Sequence, residues 1–222
     1  MMDDICKIIL VGESGVGKTC IIKRFITKEF NKYTNSTAGA NYASKVLDYK
    51  EYKTKLQFDI WDTAGQEKFR GLSTIFYKDA AIAILVYDIT NKQSFEEITK
   101  YWYEQIKENS SSNISKLILF NFIFYIIKVF GVAGNKSDLY LKEEVSYDEG
   151  FKFAQSIGAC FKLTSASSNT GIEDLFKELG KCYLDPDYKN TATKVAPGQK
   201  RRSGTLKLEK TVNEKKKKSF FC

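Results

Sequence analysis

The stretch "GESGVGKT", residues Gly12–Thr19, decides the fold of this chain. It fits the pattern G-x-x-x-x-G-K-[S/T], and it lies between an apolar run, Ile5–Val11, and a predicted helix, Lys18–Lys28. Glycines let the backbone wrap closely, so that successive N–H groups point at phosphate oxygens beside a helix N-terminus. In this pattern Lys18 reaches the β- and γ-phosphates and Thr19 binds Mg²⁺. The stretch therefore predicts a phosphate-binding loop between a strand and a helix.

Apolar runs alternate with helical patterns along the chain, which predicts an α/β domain with a mainly parallel sheet. We expect this domain over residues 1–184 and a disordered tail, rich in Lys, Thr and Ser, over residues 185–222. The predicted strands are Ile5–Val11, Ala43–Tyr49, Lys53–Trp61, Ala81–Tyr87, Val129–Ala133 and Ala159–Leu163, and the predicted helices are Lys18–Lys28, Gln93–Lys107, Tyr147–Ile157 and Gly171–Tyr183.

The net charge of +8 is concentrated in the tail, which carries 11 basic residues against 4 acidic ones. A nucleic-acid-binding domain more often shows basic residues across a folded face, so the charge argues against nucleic acid as a partner. The five cysteines show no CxxC spacing, which argues against a disulfide framework or a zinc site and favours a reducing compartment.

A second motif, "FDIWDTAGQE", ends the third predicted strand. Asp62 lies at the strand end, where its carboxylate can bind Mg²⁺ through water. The Gly65 N–H is placed to sense a γ-phosphate, and Gln66 is placed to orient an attacking water. Alone, an acid after a strand is more often a helix cap or a solvated loop residue, so the assignment depends on the residues that follow it.

Two further motifs predict that the nucleotide base is guanine. In "GNKSDL", Asp138 can accept the N1 and N2 hydrogens of guanine, a donor pair that adenine lacks. Asn135 would reach N7 and tie the phosphate loop to this loop, and the Lys136 stem would cover one ring face. In "TSAS", Thr164–Ser167, the Ala166 N–H would meet guanine O6. A polar turn is the simpler interpretation of "NKSD" alone, but the order of the motifs at successive strand ends favours base recognition.

Taken together, these motifs resemble those of the Ras superfamily of small GTPases. The resemblance is to the Rab branch of this superfamily in the segments "KLQFDIWDTAGQEKFR", "FYKDAA" and "LVYDIT". Within that branch, the sequence weakly favours the endosomal group. The resemblance implies a P-loop GTPase fold with a six-stranded, mostly parallel sheet and helices on both faces. It implies that Gln66, Lys18 and Thr37 are catalytic and that Thr19, Thr37 and Asp62 bind Mg²⁺. The residues it implies for GTP binding are Ser14, Gly15, Val16, Gly17, Lys18, Thr19, Phe30, Thr37, Gly65, Asn135, Lys136, Asp138, Ser165 and Ala166.

The implied function is a GTP-hydrolysing switch that regulates vesicle trafficking on the cytoplasmic face of an intracellular membrane, endosomal or other, with a cytosolic GDP-bound pool. The implied partners are an exchange factor, a GTPase-activating protein, a GDP-dissociation inhibitor or escort protein, and effectors that bind the two switch segments.

The sequence departs from the usual first switch segment at Ala38, Asn41 and Tyr42, and Ser167 replaces a lysine beside the base. The alternatives are an ATPase or a nucleotide-locked scaffold, against which Asp138, Gln66 and Thr37 argue, and a nucleic-acid binder that depends on the tail alone.

The tail ends in "EKKKKSFFC", in which four lysines precede Cys222. This is not a C-a-a-X signal, and Rabs more often end in two cysteines. We expect geranylgeranylation of Cys222, because one lipid together with a basic cluster supplies the two signals that stable membrane anchoring requires. A solvated basic tail and a nuclear localisation run are the alternatives.

The segment "SKLILFNFIFYIIK", Ser115–Lys128, does not fit this pattern. The strand before "GNKSDL" is already supplied by Val129–Ala133, so we expect that the segment has no place in the core. Deleting it restores the family pattern almost unbroken. Its residues have AT-rich codons, Ser-Lys can be written AGT-AAA with a GTAAA splice start, and fourteen residues keep the reading frame. These features favour a retained intron over a membrane-dipping or partner-binding hairpin, which an exposed apolar run would otherwise indicate.

Overall fold

A computed structural model describes residues 4–32, 37, 40–63, 77–111 and 127–188. Six strands form one sheet in the order β2-β3-β1-β4-β5-β6. All neighbouring strands are parallel except β2 and β3, which form an antiparallel pair. The strands are β1 (Asp4–Val11), β2 (Ala40–Tyr49), β3 (Thr54–Thr63), β4 (Ile82–Asp88), β5 (Val129–Asn135) and β6 (Cys160–Leu163). The six-stranded, mostly parallel sheet is confirmed.

Helices cover both faces of this sheet, as predicted. Two core clusters, one on each face, account for the burial of alternate residues of β1, such as Ile8 and Ile9. Phe25 and Phe176 stack with ring centroids 3.9 Å apart on one face, and Tyr87 meets Phe95 edge-to-face on the other. The helices are α1 (Lys18–Thr27), α2 (Lys92–Glu97), α3 (Tyr103–Ser111), α4 (Tyr147–Ser156) and α5 (Ile172–Leu184), with short 3₁₀ segments at Lys50–Tyr52 and Ser137–Lys142.

The burial of each strand follows from its sequence. All seven residues of β4 are buried, which fits a central parallel strand with helices on both faces. In β3, Leu56, Phe58 and Ile60 are fully buried and the residues between them are partly exposed, because successive side chains point to opposite faces. The continuous apolar run in β4 therefore corresponds to a strand that is buried on both faces.

The structure differs from the sequence prediction in the helix predicted over Gln93–Lys107. It is interrupted by a π-helical segment, Ile98–Trp102, between α2 and α3. The spacing of the apolar residues could not predict the π-helical turn, because one widened turn shifts the positions of the buried side chains around the helix only slightly. The segment buries Trp102, whose Nε1 donates to Glu13 Oε1 of the phosphate loop at 3.2 Å.

The second and third strands are longer than predicted. β2 begins at Ala40 and β3 ends at Thr63, and the two residues are paired. The extension contains Asn41 and Asp62, polar residues that interrupt the apolar pattern, yet backbone pairing does not depend on side-chain polarity. This extension carries Asp62 to the edge of the sheet beside the phosphate loop.

The apolar segment and the tail lie mostly outside the described residues. Of Ser115–Lys128, only Ile127 and Lys128 are described. Ile127 is 5% exposed and packs in the core, so the prediction that the whole segment has no place in the core is wrong at this residue. Its burial follows from the chain's entry into β5, because Lys128 N donates to Ala81 O at 2.9 Å directly before the strand. β5 itself begins at Val129, as predicted.

The described chain continues four residues past the predicted end of the domain. Asp185 Oδ1 accepts hydrogen bonds from the backbone N–H groups of Asp187 and Tyr188 and caps a short helical segment at residues 186–188, so the prediction of disorder is wrong over residues 185–188. The predicted disorder of residues 189–222 falls outside the described residues. None of the helices that the structure describes combines the length and the apolar character needed to cross a bilayer.

Candidate nucleotide-binding site

The predicted site residues that the structure describes gather at the carboxyl ends of the parallel strands. The phosphate loop follows β1, Asp62 lies near the end of β3, and Asn135 ends β5. Ser165 and Ala166 follow β6. In open α/β sheets ligands bind outside the carboxyl ends of the strands, close to the point where the strand order reverses. Here β1, between β3 and β4, occupies that position.

Glycines in the phosphate loop are required by the packing around them. Gly17 has φ +99°, and a Cβ placed there would lie 2.3 Å from Asn135 Nδ2. Gly12 has φ +142°, and its Cβ would lie 2.2 Å from the Val86 carbonyl oxygen in β4. Gly15, with φ +78°, faces open space. The loop therefore packs tightly against β4 and Asn135 at Gly12 and Gly17 and is open at Gly15, which allows its backbone to contact a phosphate closely.

The Lys18 side chain holds two backbone carbonyls of the phosphate loop. It is buried, and its Nζ donates to the carbonyl oxygens of Gly12 at 2.7 Å and Glu13 at 2.9 Å. Burial lowers the pKa of Lys18 to about 8, against the opposing effect of Asp62 and Glu13. An ammonium group has three hydrogens, so two are used to hold the loop and one is left for an anion.

Three side-chain oxygens form a compact group beside Lys18. Thr19 Oγ1 donates to Asp62 Oδ2 at 2.6 Å and lies 2.8 Å from Thr37 Oγ1, and Thr37 Oγ1 lies 3.3 Å from Asp62 Oδ2. Asp62 is 2% exposed, and in the described part of the chain its Oδ1 accepts no hydrogen bond. Burial raises its pKa, and the Thr19 hydroxyl and the Lys18 ammonium oppose that rise. A buried carboxylate with an unused oxygen and two hydroxyls fits a hard divalent cation such as Mg²⁺.

Asn135 joins the phosphate side of the site to the base side. Its Nδ2 donates to the Val16 carbonyl at 2.7 Å, and its Oδ1 accepts from Thr164 Oγ1 at 3.2 Å. The residue is 2% exposed. The predicted tie between the two loops is therefore present in the geometry. The second Nδ2 hydrogen is available for a ring nitrogen such as N7.

The residues predicted to read the base edge converge on the same place. Asp138 is exposed, and its Oδ1 accepts from Ser165 Oγ at 2.6 Å, which fixes the carboxylate and leaves Oδ2 open. Ser165 Oγ in turn accepts from the Ser168 N–H at 3.0 Å. Lys136, in the left-handed region at φ 62°, places Nζ 2.7 Å from Asp88 Oδ2. The stem of Lys136 is thereby held in one orientation beside the base position.

Phe30 follows α1 and is 39% exposed. The Arg24 guanidinium carbon lies 5.6 Å from the centre of its ring. A partly exposed aromatic ring can stack on a base, and the predicted stacking role of Phe30 stays a prediction. Gly65 and Gln66 lie outside the described residues, and so does Cys222. Of the loop residues, Ser14 and Gly15 are exposed, and the Val16 side chain is 2% exposed.

Sequence reasoning missed three residues that shape the site: Arg24, Thr164 and Asp88. Arg24 donates to the Ala166 carbonyl, Thr164 supports Asn135, and Asp88 holds Lys136. Asp88 gave a usable signal, because an acid at a strand end beside the predicted site was visible in "LVYDIT". Arg24 and Thr164 act through contacts between distant segments, for which local patterns carry no signal.

Comparison with known proteins agrees with this geometry. The model of the Ras family matches residues 7–184. Ras-related protein Rab-8A of Gallus gallus is 38% identical over 219 residues, covering 99% of this chain and 95% of that protein. Ras-related protein Rab-13 of Canis lupus familiaris is 40% identical over 182 residues, covering 82% of this chain and 81% of that protein. Ras-related protein Rab-8B of Pongo abelii is 38% identical over 219 residues, with coverage of 99% and 95%.

The family match covers the phosphate loop, the oxygen group around Asp62 and both base-reading loops, and the relatives extend over nearly the whole chain. The chain is thus a member of the Ras family and belongs to its Rab branch, the small GTPases that bind and hydrolyse GTP and act as switches in vesicle trafficking.

Proposed function

We propose that this chain is a Mg²⁺-dependent guanine-nucleotide switch in which the described residues fill the roles predicted for them. The observation that carries the proposal is the Asn135 side chain, which joins the Val16 carbonyl of the phosphate loop to Thr164 of the base loop. A nucleotide that fits both loops at once is held by both its phosphates and its base. Asp138 and the Ala166 N–H select guanine, because adenine offers neither their donor pair nor a carbonyl oxygen at position 6.

Each residue on the phosphate side has a separate task in this proposal. Lys18 and the loop N–H groups bind the β- and γ-phosphates, and Thr19, Thr37 and Asp62 hold Mg²⁺, which offsets phosphate charge when bound. Gln66 orients the attacking water, and the contacts of Thr37 and Gly65 with the γ-phosphate order the two switch segments until hydrolysis removes it. The segments that contain Gly65 and Gln66 lie outside the described residues, so their roles are tested by mutation.

Replacing Gln66 by Leu is expected to slow hydrolysis while GTP affinity stays nearly unchanged, because Gln66 acts on the water and not on the bound nucleotide. Single-turnover conversion of bound GTP and the dissociation rate of GTP would be measured on the same preparations. The exposed Gln155, changed to Leu, provides the matched control. Equal hydrolysis rates in the Gln66 variant and the wild type would remove Gln66 from the mechanism.

We further propose that the protein acts on the cytoplasmic face of an intracellular vesicle membrane, endosomal or other, and that Cys222 carries a geranylgeranyl group. The proposal is supported by the run Lys215–Lys218, which adds electrostatic attraction to an anionic lipid surface. The proposed partners are an exchange factor, a GTPase-activating protein, a GDP-dissociation inhibitor or escort protein, and effectors of the switch segments. Nucleic acid is not among them.

The Cys222→Ser variant is expected to leave membranes and become cytosolic, because the remaining lysines give only a weak, salt-dependent attraction. Fractionation and imaging of the tagged protein beside organelle markers would measure this and would also identify the membrane. Cys20→Ser, in the folded domain, is the control substitution. Unchanged membrane association of the Cys222 variant would show that lipidation at this residue is not the anchor.

For residues 115–128 we propose a retained intron in the gene sequence. With Ser115 written AGT and Lys128–Val129 written AAA-GTN, an intron can begin at the GT of the Ser115 codon and end at the AG formed by the last base of the Lys128 codon and the first base of the Val129 codon. This intron spans 42 nucleotides, three for each of fourteen codons. Splicing there leaves the codon ATN, so the mature protein reads Ser-Asn-Ile followed by Ile or Met and then Phe130. Sequencing the mature transcript tests this directly. A transcript or native peptide that contains "LILFNFIFYII" would exclude the intron.

A further inference from the structure

Arg24 makes contacts that none of the motifs predicts. It lies in the last turn of α1, and its guanidinium group donates to three backbone carbonyls: Nε to Ala166 at 2.7 Å, a terminal nitrogen to Ser167 at 3.0 Å, and the other to Lys28 at 2.5 Å. Arginine offers five donors in a rigid plane, so one side chain can hold several acceptors in a fixed arrangement. Arg24 thereby clamps the loop after β6 to the end of α1.

The clamped loop is the one that must meet the 6-oxygen of guanine. Its other end is held by mutual backbone hydrogen bonds between Ser165 and Thr170 at 2.9 and 3.1 Å. Ala166 is 4% exposed, and within the described residues its N–H donates to no protein acceptor. The Ala166 N–H belongs to the planar peptide group that it shares with the Ser165 carbonyl, which accepts from the Thr170 N–H. Arg24 holds the next two peptide groups through the Ala166 and Ser167 carbonyls, so the peptide groups on both sides of the Ala166 Cα are fixed.

The same guanidinium also supports the ring predicted to cover the base. Its carbon lies 5.6 Å from the centre of the Phe30 ring, which is 39% exposed. A cation at this distance from an aromatic ring is attracted to it. One side chain therefore contacts both the loop that reads the base edge and the ring that covers the base face.

We propose that Arg24 is a positioning residue for the guanine base: it aims the Ala166 N–H at the 6-oxygen and steadies Phe30, and so sets nucleotide residence time and selectivity at that oxygen. This inference depends on the guanine-binding function proposed above. In this proposal Arg24 does not contact the nucleotide itself, because its guanidinium group acts through Ala166 and Phe30.

The test compares GDP, 6-thio-GDP and inosine diphosphate on the full-length wild type, Arg24→Ala, Arg24→Lys and the exposed control Lys23→Ala, with ADP as a further diphosphate on the wild type. In 6-thio-GDP a weaker acceptor replaces the 6-oxygen, and inosine diphosphate lacks the 2-amino group that Asp138 reads. For Arg24→Ala we expect GDP to dissociate roughly tenfold faster, as loss of a charge-assisted hydrogen bond implies. We expect the preference for GDP over 6-thio-GDP to fall several-fold and the preference for GDP over inosine diphosphate to change by less than about twofold.

Two outcomes would overturn the proposal: an unchanged preference for GDP over 6-thio-GDP, or an equal fall in both preferences, which would indicate general loosening of the fold. If Arg24→Ala does not fold, Arg24→Lys is read by the same two criteria, because a lysine ammonium cannot span both carbonyls in the arginine geometry. A wild type that fails to prefer GDP over ADP would instead refute the guanine-binding function, which keeps the two failures distinct.

Discussion

Replacing Asp138 by Asn is expected to move the protein's preference from guanine to xanthine nucleotides, with a change in the GTP-to-XTP affinity ratio of about 10³-fold or more. The structure explains why the preference should shift toward xanthine. Ser165 Oγ donates to Asp138 Oδ1, so in the variant it keeps the amide oxygen on its own side and turns Nδ2 toward the base. The amide then offers a donor where guanine also presents a donor, whereas xanthine presents a carbonyl oxygen there.

Competition between GTP and XTP for the variant and the wild type measures this ratio. Asp148→Asn is the matched control, because Asp148 is exposed in the first turn of α4 and has no role in the site. The same ratio in the Asp138 variant and the wild type would show that Asp138 does not read the base.

Replacing Lys18 by Ala is expected to weaken GTP and GDP binding by about 10²-fold or more, because the change removes a charged partner of the phosphates. It also leaves the Gly12 and Glu13 carbonyls without the donor that now holds them at 2.7 and 2.9 Å. Unsatisfied carbonyls cost stability, so the protein without nucleotide should unfold at a lower urea concentration than the wild type.

Lys23→Ala controls for this change, since Lys23 is exposed on the same helix. Nucleotide affinity by fluorescence titration and the urea midpoint would be measured for both variants. Wild-type GTP affinity in Lys18→Ala would remove Lys18 from the phosphate site, whatever the effect on stability.

The fold and part of the site followed from local patterns, whereas Thr37 and Phe30 were assigned from the family resemblance. "GESGVGKT" required a strand before it and a helix after it, and both were found. Asp62, Asn135 and Ala166 came together because parallel strands deliver their carboxyl ends to one edge of the sheet. These inferences needed only spacing and the geometry of a parallel sheet.

What could not be predicted depends on contacts between distant parts of the chain. Arg24 lies 142 residues from Ala166, and nothing in its neighbourhood shows that it holds the base loop. The burial of Ile127 depends on how the chain enters β5 beside Ala81, and the π-helical turn at Ile98–Trp102 brings Trp102 into a hydrogen bond with Glu13, 89 residues away. Local sequence does not encode such partners, so only the assembled fold reveals them.

Single-turnover hydrolysis tests the central claim most directly. The purified protein is loaded with GTP or with ATP in the presence of Mg²⁺, and phosphate release and the bound product are followed over time. The account predicts that GTP is converted slowly, at a rate on the order of 10⁻⁴ to 10⁻³ s⁻¹ without an activating protein, that GDP stays bound, and that ATP is neither held nor cleaved. Equal binding and cleavage of ATP, or stable binding of GTP with no phosphate release at all, would contradict it.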